Sequence, residues 1–349
     1  MNVKKILCHC DIDSFYASIA QREDPSLKGK PIGITSADRR SVLATCSYEA
    51  RAFGVRSAMP SWKAKELCPE IIFVNPDFNL YREASKKFIS VLKNYSELVE
   101  IVGSDECYID LSHLGSFEIA FEICQKIRKE VSESIGITCS IGISINKFIA
   151  KVASGINKPD ALTVITEESV KDFLLNLPIE EFRGVGKKTE EVFKSYNIKK
   201  GEDLFKVPLD QLTEILGDSR GLWFYNVVRG KDDREIEVEY ERKSLAVHKT
   251  FRKDIYTDRE AAEELWSIAM EIEQRLKRHK SYGKTLTVKV KYADFQMITR
   301  STTTGDIFRN VLEIYSNSLK CLKRKPLLRP IRFLGICISS LEDETNALW

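Results

Sequence analysis

The chain has 349 residues, 43% of them hydrophobic and 30% charged, with a formal net charge of +3. That is the composition of an ordinary soluble globular protein, too long for one compact core and predicted to form two to four domains. It shows neither a signal peptide nor a long apolar span, and its nine cysteines include no C-x-x-C pair, with Cys8 and Cys10 suiting buried small hydrophobes better than zinc ligands, so a reduced cytoplasmic setting is expected.

In chain order, Lys4 to Cys10 is an apolar run that predicts a buried strand, and it ends in Asp11-Ile12-Asp13. Ser14 to Ser18 opens a short helix that Pro25 and Gly29 terminate. Pro31 to Ser36 and Ser41 to Ser47 read as a hairpin, Tyr48 to Val55 follows, and Pro60 to Cys68 predicts a second small helix. Residues from about Ser18 to Asn75 are therefore an insertion ahead of a long helix, Phe78 to Tyr95, with Leu80, Ala84, Phe88, Val91, Leu92 and Tyr95 at helical spacing.

The stretch Val99 to Leu111 carries the chemistry. Two β-prone runs flank Gly103-Ser104, which predicts a two-residue hairpin turn, and the adjacent carboxylates Asp105 and Glu106 come directly after it. Neighbours on a regular strand point to opposite faces, so a shared site requires the hairpin tip to re-aim one of them. If this strand lies beside the first, Asp11, Asp105 and Glu106 meet at one end of a sheet. Three carboxylates that close repel one another unless a divalent cation is present, and hard oxygen ligands suit Mg²⁺. A helix from Ser116 to Ser134 with Ile119, Ile123, Ile127 and Val131 on one face, a strand from Thr138 to Ile145 and a helix from Lys147 to Ile156 complete the unit. Without the insertion the order is β-α-β-β-α-β, the split βαβ arrangement.

From Val164 the chain reads as helical. In Phe182 to Thr189, Gly184-Val185-Gly186 opens a helix with Lys187 and Lys188 at its start; no strand precedes it and a third glycine is missing, so it is not a dinucleotide fingerprint. It fits a helix-hairpin-helix turn that offers backbone N–H groups to a phosphate, or an ordinary helix–helix turn. Lys231 to Lys243 is charged and reads as an extended tether, and a second β-α-β-β-α-β unit follows from Ser244 to Ser339. Between residues 270 and 340 there are fifteen Lys/Arg against five Asp/Glu, an asymmetry that points to a polyanion partner or to a solvated face.

Asp11-Ile12-Asp13-Ser14-Phe15-Tyr16-Ala17, Ser47 to Val55, Ser104-Asp105-Glu106 and Gly184-Val185-Gly186-Lys187, in this order, resemble a bacterial branch of the Y-family of translesion DNA polymerases. The resemblance covers nearly the whole chain and implies an α+β right-hand polymerase: a ferredoxin-like palm (1–17 and 76–165), small fingers (18–75), a helical thumb with a helix-hairpin-helix (166–230), a linker (231–243), a C-terminal β-α-β-β-α-β little finger (244–341) and a tail (342–349). It implies low-fidelity synthesis past damaged bases without proofreading, by nucleotidyl transfer from a dNTP to a primer 3′-hydroxyl. Two Mg²⁺ ions about 3.5–4 Å apart supply charge stabilisation in such chemistry.

The resemblance assigns roles residue by residue. Asp11 and Asp105 would bridge both ions, Glu106 would serve the ion that activates the primer, and the Ile12 carbonyl would complete the nucleotide-side ion. Tyr48, Arg51 and Lys158 would grip the triphosphate with Thr45 as a hydroxyl donor, Tyr16 would be the steric gate against a 2′-hydroxyl, and Ala44 and Ala58 would form a loose lid over the base pair. Asp13 is left as a structural residue. Gly184, Gly186, Lys187 and Lys188, with Lys289, Lys291, Arg300, Arg329 and Arg332 and the neighbouring Lys284, Lys323, Arg324 and Lys325, would hold DNA phosphates. Primer–template DNA and dNTP are the implied partners of a monomer, with the sliding clamp meeting the little finger or the tail, although Leu341 to Trp349 lacks the glutamine expected at the head of a clamp-binding peptide.

Two other readings compete. A nucleotide cyclase shares a palm-like core and two-metal carboxylates but needs neither the Gly-x-Gly turn nor a basic C-terminal unit. A non-catalytic DNA-binding scaffold would have no use for Asp11, Asp105, Glu106, Tyr48, Arg51 and Lys158 together.

Overall fold

The computed structural model describes residues 5–343 apart from 37, 39, 240, 325 and 327–329. It divides into two compact units, one of residues 1–37 and 41–239, the other of residues 38–40 and 240–349. Among the described residues the strands make three sheets, and no helix is long and apolar enough to cross a membrane.

The first unit begins with β1 (Leu7–Ile12) and α1 (Phe15–Glu23). A small sheet of β2 (Ile32–Ile34), β3 (Thr45–Cys46) and β4 (Ile72–Val74) follows, with α2 (Tyr48–Ala52) and α3 (Ser61–Leu67) between the last two. β3 runs antiparallel to β2, and β4 parallel to it. Next come α4 (Phe78–Lys93), β5 (Val99–Ile101), β6 (Glu106–Asp110), α5 (Phe117–Ile135), β7 (Cys139–Ser144), α6 (Lys147–Gly155) and β8 (Leu162–Val164). The main sheet has the order β5-β6-β1-β7-β8. β1 is antiparallel to both its neighbours, as the split βαβ pattern requires, and β8, which the helical reading after Val164 misses, adds an edge parallel to β7.

The period-two alternation of β1 buries both of its faces. Cys8, Cys10 and Ile12 pack with Cys107, Ile109, Ile141 and Ile143 under α4 and α5, where Phe88, Leu92, Cys124 and Ile127 close the core. The buried stripe of α5 is Phe117, Ala120, Cys124, Ile127 and Val131, whereas Ile119, expected on that face, is 47% exposed. On the other face α6 lies directly on β7, because Gly142 presents no side chain to the Ala150 carbonyl and the Ser154 N–H. Asn146 caps α6 by accepting from the Ile149 N–H at 3.0 Å.

The hairpin differs from the two-residue expectation. β5 ends at Ile101 and β6 begins at Glu106, so four residues connect them, and the Glu106 carbonyl accepts from the N–H groups of both Val102 and Gly103 at 3.1 Å. Both bonds close the turn onto Glu106, so Asp105 lies in the connection and not on the regular strand.

Helices α7 (Val170–Asn176), α8 (Lys187–Ser195), α9 (Gly201–Lys206), α10 (Leu209–Leu216) and α11 (Asp218–Val227) gather around Phe148, Phe182, Phe193, Leu204, Leu212 and Phe224. Residues 231–239 have no helix or strand; they are held to the unit by Asp232, which accepts from the Phe148 N–H at 2.9 Å, and by Glu100, which accepts from the Glu237 N–H at 2.8 Å.

The second unit comprises β9 (Ser244–Ile255), α12 (Asp258–His279), β10 (Ser281–Tyr292), β11 (Met297–Thr303), α13 (Val311–Lys323) and β12 (Ile331–Asp343). Its element order repeats that of the first unit, but the sheet order β11-β10-β12-β9 puts its first strand at an edge, where β1 is central. Leu286, Val288 and Val290 of β10 face α12 and α13, leaving the other face of the sheet open.

Gly142→Ala forces a methyl group into backbone that has nowhere to move. It is expected to destabilise the first unit by about 3 kcal/mol, read from the urea midpoint; a loss below about 1 kcal/mol would show that α6 can lift off β7 freely.

Candidate active site

The central position of β1 brings the acids together. Asp11 stands opposite Glu106 in the β1–β6 register, so the two share one face of the sheet by strand alternation. Asp105 precedes β6, and its carbonyl accepts from the Ile12 N–H at 2.8 Å. It is therefore Asp105, outside the regular strand, that the turn brings into one cleft with Asp11, while Glu106 needs no re-aiming. Both Asp11 and Asp105 line a cleft of about 390 Å³ together with Ile12, Ser14, Phe15, Tyr16, Ala44, Thr45, Arg51, Ser57 and Lys158.

Burial, and then the charges of Asp11 and Glu106, push the Asp105 carboxyl up to about 6. Its neighbour goes the other way. Glu106 is held at about 2, first by a hydrogen bond with His9 and then by Lys151, whose ammonium donates to Oε2. His9 Nε2 lies 3.4 Å from that oxygen, and its Nδ1 is 2.7 Å from Ser154 Oγ. Burial lowers the His9 imidazole from its ordinary value. The ligand atoms of His9, Asp11 and Glu106 lie within 4.8 Å of one another. His9 is absent from the sequence-derived site, although its position two residues before Asp11 on one strand places it on the same face.

Cations face the acids. Lys158 donates to Asp11 Oδ1 and sits 3.8 Å from Asp13 Oδ1. The Arg51 guanidinium lies 4.7 Å from the Tyr48 ring centroid, and the Tyr48 hydroxyl donates to Asp13 at 3.3 Å. Burial and the Asp13 charge raise the Tyr48 phenol well above its ordinary value, so it remains a donor. The Tyr16 ring is stacked on Tyr81 of α4 at 3.9 Å between centroids and 13° between planes, which fixes the wall of the cleft. Of the expected lid pair, Ala44 lines the cleft and Ala58 does not; Ser57 takes that place.

The donor set fits divalent cations. A carboxylate raised by burial and then by two like charges, beside two others each already holding an ammonium, is a site with excess negative charge and oxygen ligands.

The expected DNA contacts separate into two groups. Gly184, with φ of 98°, and Gly186 stand exposed at the start of α8, and Lys187 and Lys188 are its first, exposed residues. Lys289 and Lys291 alternate on the open face of β10. Arg300 does not join them: it pairs with Val288 on the helix-covered face, and its guanidinium donates to the Cys321 and Leu322 carbonyls at the end of α13. Arg332 lies over the Phe295 ring at 4.7 Å, Lys284 is paired with Glu342 at 2.6 Å, and Arg324 donates to the Ser301 carbonyl at 2.7 Å. Lys323 closes α13, exposed. Lys325, Arg329 and tail residues 344–349 lie outside the described residues.

Comparison with known proteins agrees with this architecture. Residues 10–155 match the impB/mucB/samB family, residues 242–347 its C-terminal domain, and residues 180–232 the thumb domain of DNA polymerase-iota. The chain is 42% identical to a DNA polymerase IV of Clostridium perfringens, over 98% of this chain and 96% of that protein, and 41% identical to one of Clostridioides difficile, over 98% and 94%. A solved Y-family DNA polymerase chimera of Dbh and Dpo4 superposes with a TM-score of 0.89 at 25% identity, covering 97% of this chain and 99% of its own.

The raised Asp105 carboxyl carries a stability cost. Its folded value lies above its unfolded one, so ionisation destabilises the protein increasingly as pH climbs from the ordinary carboxylate range to about 6, and the full cost applies above that. Asp105→Asn is expected to raise the Tm of the cation-free protein by about 2 °C near pH 8, leave it unchanged near pH 4, and weaken the Tm increase that millimolar Mg²⁺ gives the wild type. A variant that melts below the wild type near pH 8 would refute the electrostatic account.

Proposed function

This chain belongs to the Y-family of DNA polymerases, a metal-dependent, DNA-directed family that carries out translesion synthesis, and on that footing we propose how its residues divide the work. Asp11, Asp105, Glu106 and the Ile12 carbonyl would hold two Mg²⁺ ions, which would supply charge stabilisation for the triphosphate and activation of the primer 3′-hydroxyl. The observation that carries this reading is that one cleft is lined by Asp11 and Asp105 together with Arg51 and Lys158.

Arg51, Tyr48 and Lys158 take the triphosphate, Arg51 by forking onto phosphate oxygens from its place over the Tyr48 ring. Thr45 adds a hydroxyl at the same wall. Lys158, paired with Asp11 and lining the same cleft, is the second cation within reach of the triphosphate. Tyr16, held flat on Tyr81, excludes a ribose 2′-hydroxyl, and Ala44 leaves room above the base pair. Glu106 remains ionised because His9 and Lys151 stabilise its charged form.

The same reading assigns residues 1–17 and 76–165 to the palm, 18–75 to the fingers, 166–230 to the thumb, 231–243 to the linker and 244–341 to the little finger. Lys187, Lys188, Lys289, Lys291 and Arg332 meet phosphates without reading bases. It extends to a monomer working in the cytoplasm, with a sliding clamp as partner of the little finger or of tail 342–349.

Primer extension with Mg²⁺ tests the assignment. Asp105→Ala is expected to lower kcat/KM by about 10³-fold or more, equivalent to about 4 kcal/mol; extension at wild-type rate would remove Asp105 from the site. In single-nucleotide incorporation, Tyr16→Ala is expected to reduce the preference for dNTP over rNTP by about 10²-fold, and unchanged sugar selectivity would dismiss the gate.

A further inference from the structure

Asp13 is 1% exposed, an ionisable side chain buried two residues from Asp11. A carboxylate in such a place is costly unless its lone pairs are taken up. Here each oxygen accepts twice. Oδ1 accepts from Ser140 Oγ at 2.8 Å and from the Tyr48 hydroxyl at 3.3 Å; Oδ2 accepts from Thr138 Oγ1 at 2.8 Å and from the Asp160 N–H at 2.7 Å. These donors come from the β7 strand and its approach, from the first residue of α2, and from the turn after α6.

The last two segments are the ones that matter. α2 presents Tyr48 and, three residues on, Arg51, while the turn Asn157–Asp160 presents Lys158. That turn contains two non-glycine residues in the left-handed region, Asn157 at φ 60° and Asp160 at φ 54°. Backbone of this kind persists only where its surroundings over-determine it. Asp160 is pinned on both sides, by its N–H to Asp13 and by its carbonyl, which accepts from Arg128.

We propose that Asp13 is a positioning residue that fixes the two triphosphate-gripping segments, Tyr48 with Arg51 and the Lys158 turn, in register with the carboxylate edge of β1. This rests on the reading that Tyr48, Arg51 and Lys158 bind the triphosphate. Nothing in the sheet core requires a charge at this point, since Ser140 and Thr138 could bond to each other's backbone neighbours or to a neutral amide. What a carboxylate adds is two further acceptor sites aimed at segments 35 and 147 residues away in sequence. Asp13→Asn keeps the shape but replaces one acceptor oxygen with a donor. The Asp160 N–H cannot reverse its role, so the amide oxygen stays with the turn and the amide nitrogen faces Ser140 and Tyr48, which turns the Tyr48 hydroxyl around.

Steady-state single-nucleotide incorporation on primer–template DNA decides the matter, with wild type, Asp13→Asn, Tyr48→Phe, their double variant, Thr138→Val and Arg51→Ala compared. Asp13→Asn is expected to raise KM for dNTP about tenfold, with kcat within about threefold of wild type and primer–template affinity unchanged. Tyr48→Phe raises KM too, and the double variant raises it no further than the larger single effect, because both act through one contact. Thr138→Val, which removes one donor and leaves both gripping segments intact, raises KM about threefold and serves as the test if Asp13→Asn does not fold. An unchanged KM in folded Asp13→Asn, or in Thr138→Val where it must stand in, overturns the proposal, as do multiplicative single effects or a loss confined to kcat and DNA affinity. Arg51→Ala separates the two readings: if it raises KM while Asp13→Asn does not, only the positioning role fails, and if it leaves KM unchanged the triphosphate assignment itself is wrong.

Discussion

The constraint on which this structure depends is the repulsion among carboxylates gathered at one end of the β1–β6 pair. Two unit charges about 4 Å apart repel by about 4 kcal/mol at an effective dielectric of 20, whereas a hydrogen bond contributes about 1 kcal/mol net. Hydrogen bonds alone cannot hold such a cluster, so it must be met by positive charge. Both nearby ammonium groups come from one helix and its exit: Lys151 from α6, and Lys158 from the turn behind it. The close seat of α6 on Gly142 is what carries them within reach. A packing detail on the back of the sheet thereby sets the charge balance at its edge.

Within that cluster, sequence neighbours have opposite electrostatic characters. Glu106 lies on a regular strand against His9 and Lys151 and stays ionised far below neutral pH; Asp105 lies in the turn, half-buried, near two like charges, and rises to about 6. The first is stabilised in its charged form by the protein, while the second carries its charge at a cost that a bound cation would offset. Environments that separate two carboxylates in this manner are a common way of giving them different tasks at one pH. Asp13 makes a third case: its charge is fully engaged by four donors and is turned toward shape rather than toward the cleft.

Much of this was legible beforehand, for reasons that also mark its limits. Period two placed the strands, period 3.6 placed the helices, and the spacing of Asp11, Asp105 and Glu106 pointed to one sheet end. Alternation says which residues share a face only once the strand's limits are known, and the limits of β6 depended on a four-residue connection that Gly103-Ser104 does not announce; hence the sequence left open which acid is re-aimed, and it is Asp105. Of the stripe expected on α5, Ile127 and Val131 lie in the core and Ile123 packs partly against it, while Ile119 falls outside and Phe117, Ala120 and Cys124 complete the face. Lys151 and His9 were hidden because nothing local distinguishes a lysine on an amphipathic helix, or a histidine among buried cysteines, from ordinary residues. Their role exists only through the register of β1 with β6 and the packing of α6.

The second unit shows why counting charges says less than locating them. An excess of ten cations over residues 270–340 suggests a broadly positive surface. Several are engaged within the unit itself: Arg275 with Glu271 at 2.7 Å, Lys277 with Glu273 at 3.2 Å, Lys284 with Glu342, and Arg300 on the carbonyls that end α13. The open face of the sheet is built differently. Lys289 and Lys291 stand among a ladder of hydroxyls in which Thr285 meets Thr303 at 3.0 Å and Thr287 meets Ser301 at 2.8 Å. Gly335, opposite Lys289 on β12, leaves no room for a side chain against His248 of β9, and on the same face the Phe333 ring meets His248 at 5.2 Å and Lys291 at 5.5 Å. Hydroxyls and two lysines, one of them held over a ring, suit the approach of a phosphate backbone better than a crowd of long side chains would, because little conformational entropy is lost on contact. The strand order β11-β10-β12-β9, unlike that of the first unit, puts β10 and β12 at the centre and so gathers these residues in the middle of the face. The same sequence of elements thus serves two purposes: a central first strand concentrates acids at an edge, and an edge first strand leaves a flat polar centre.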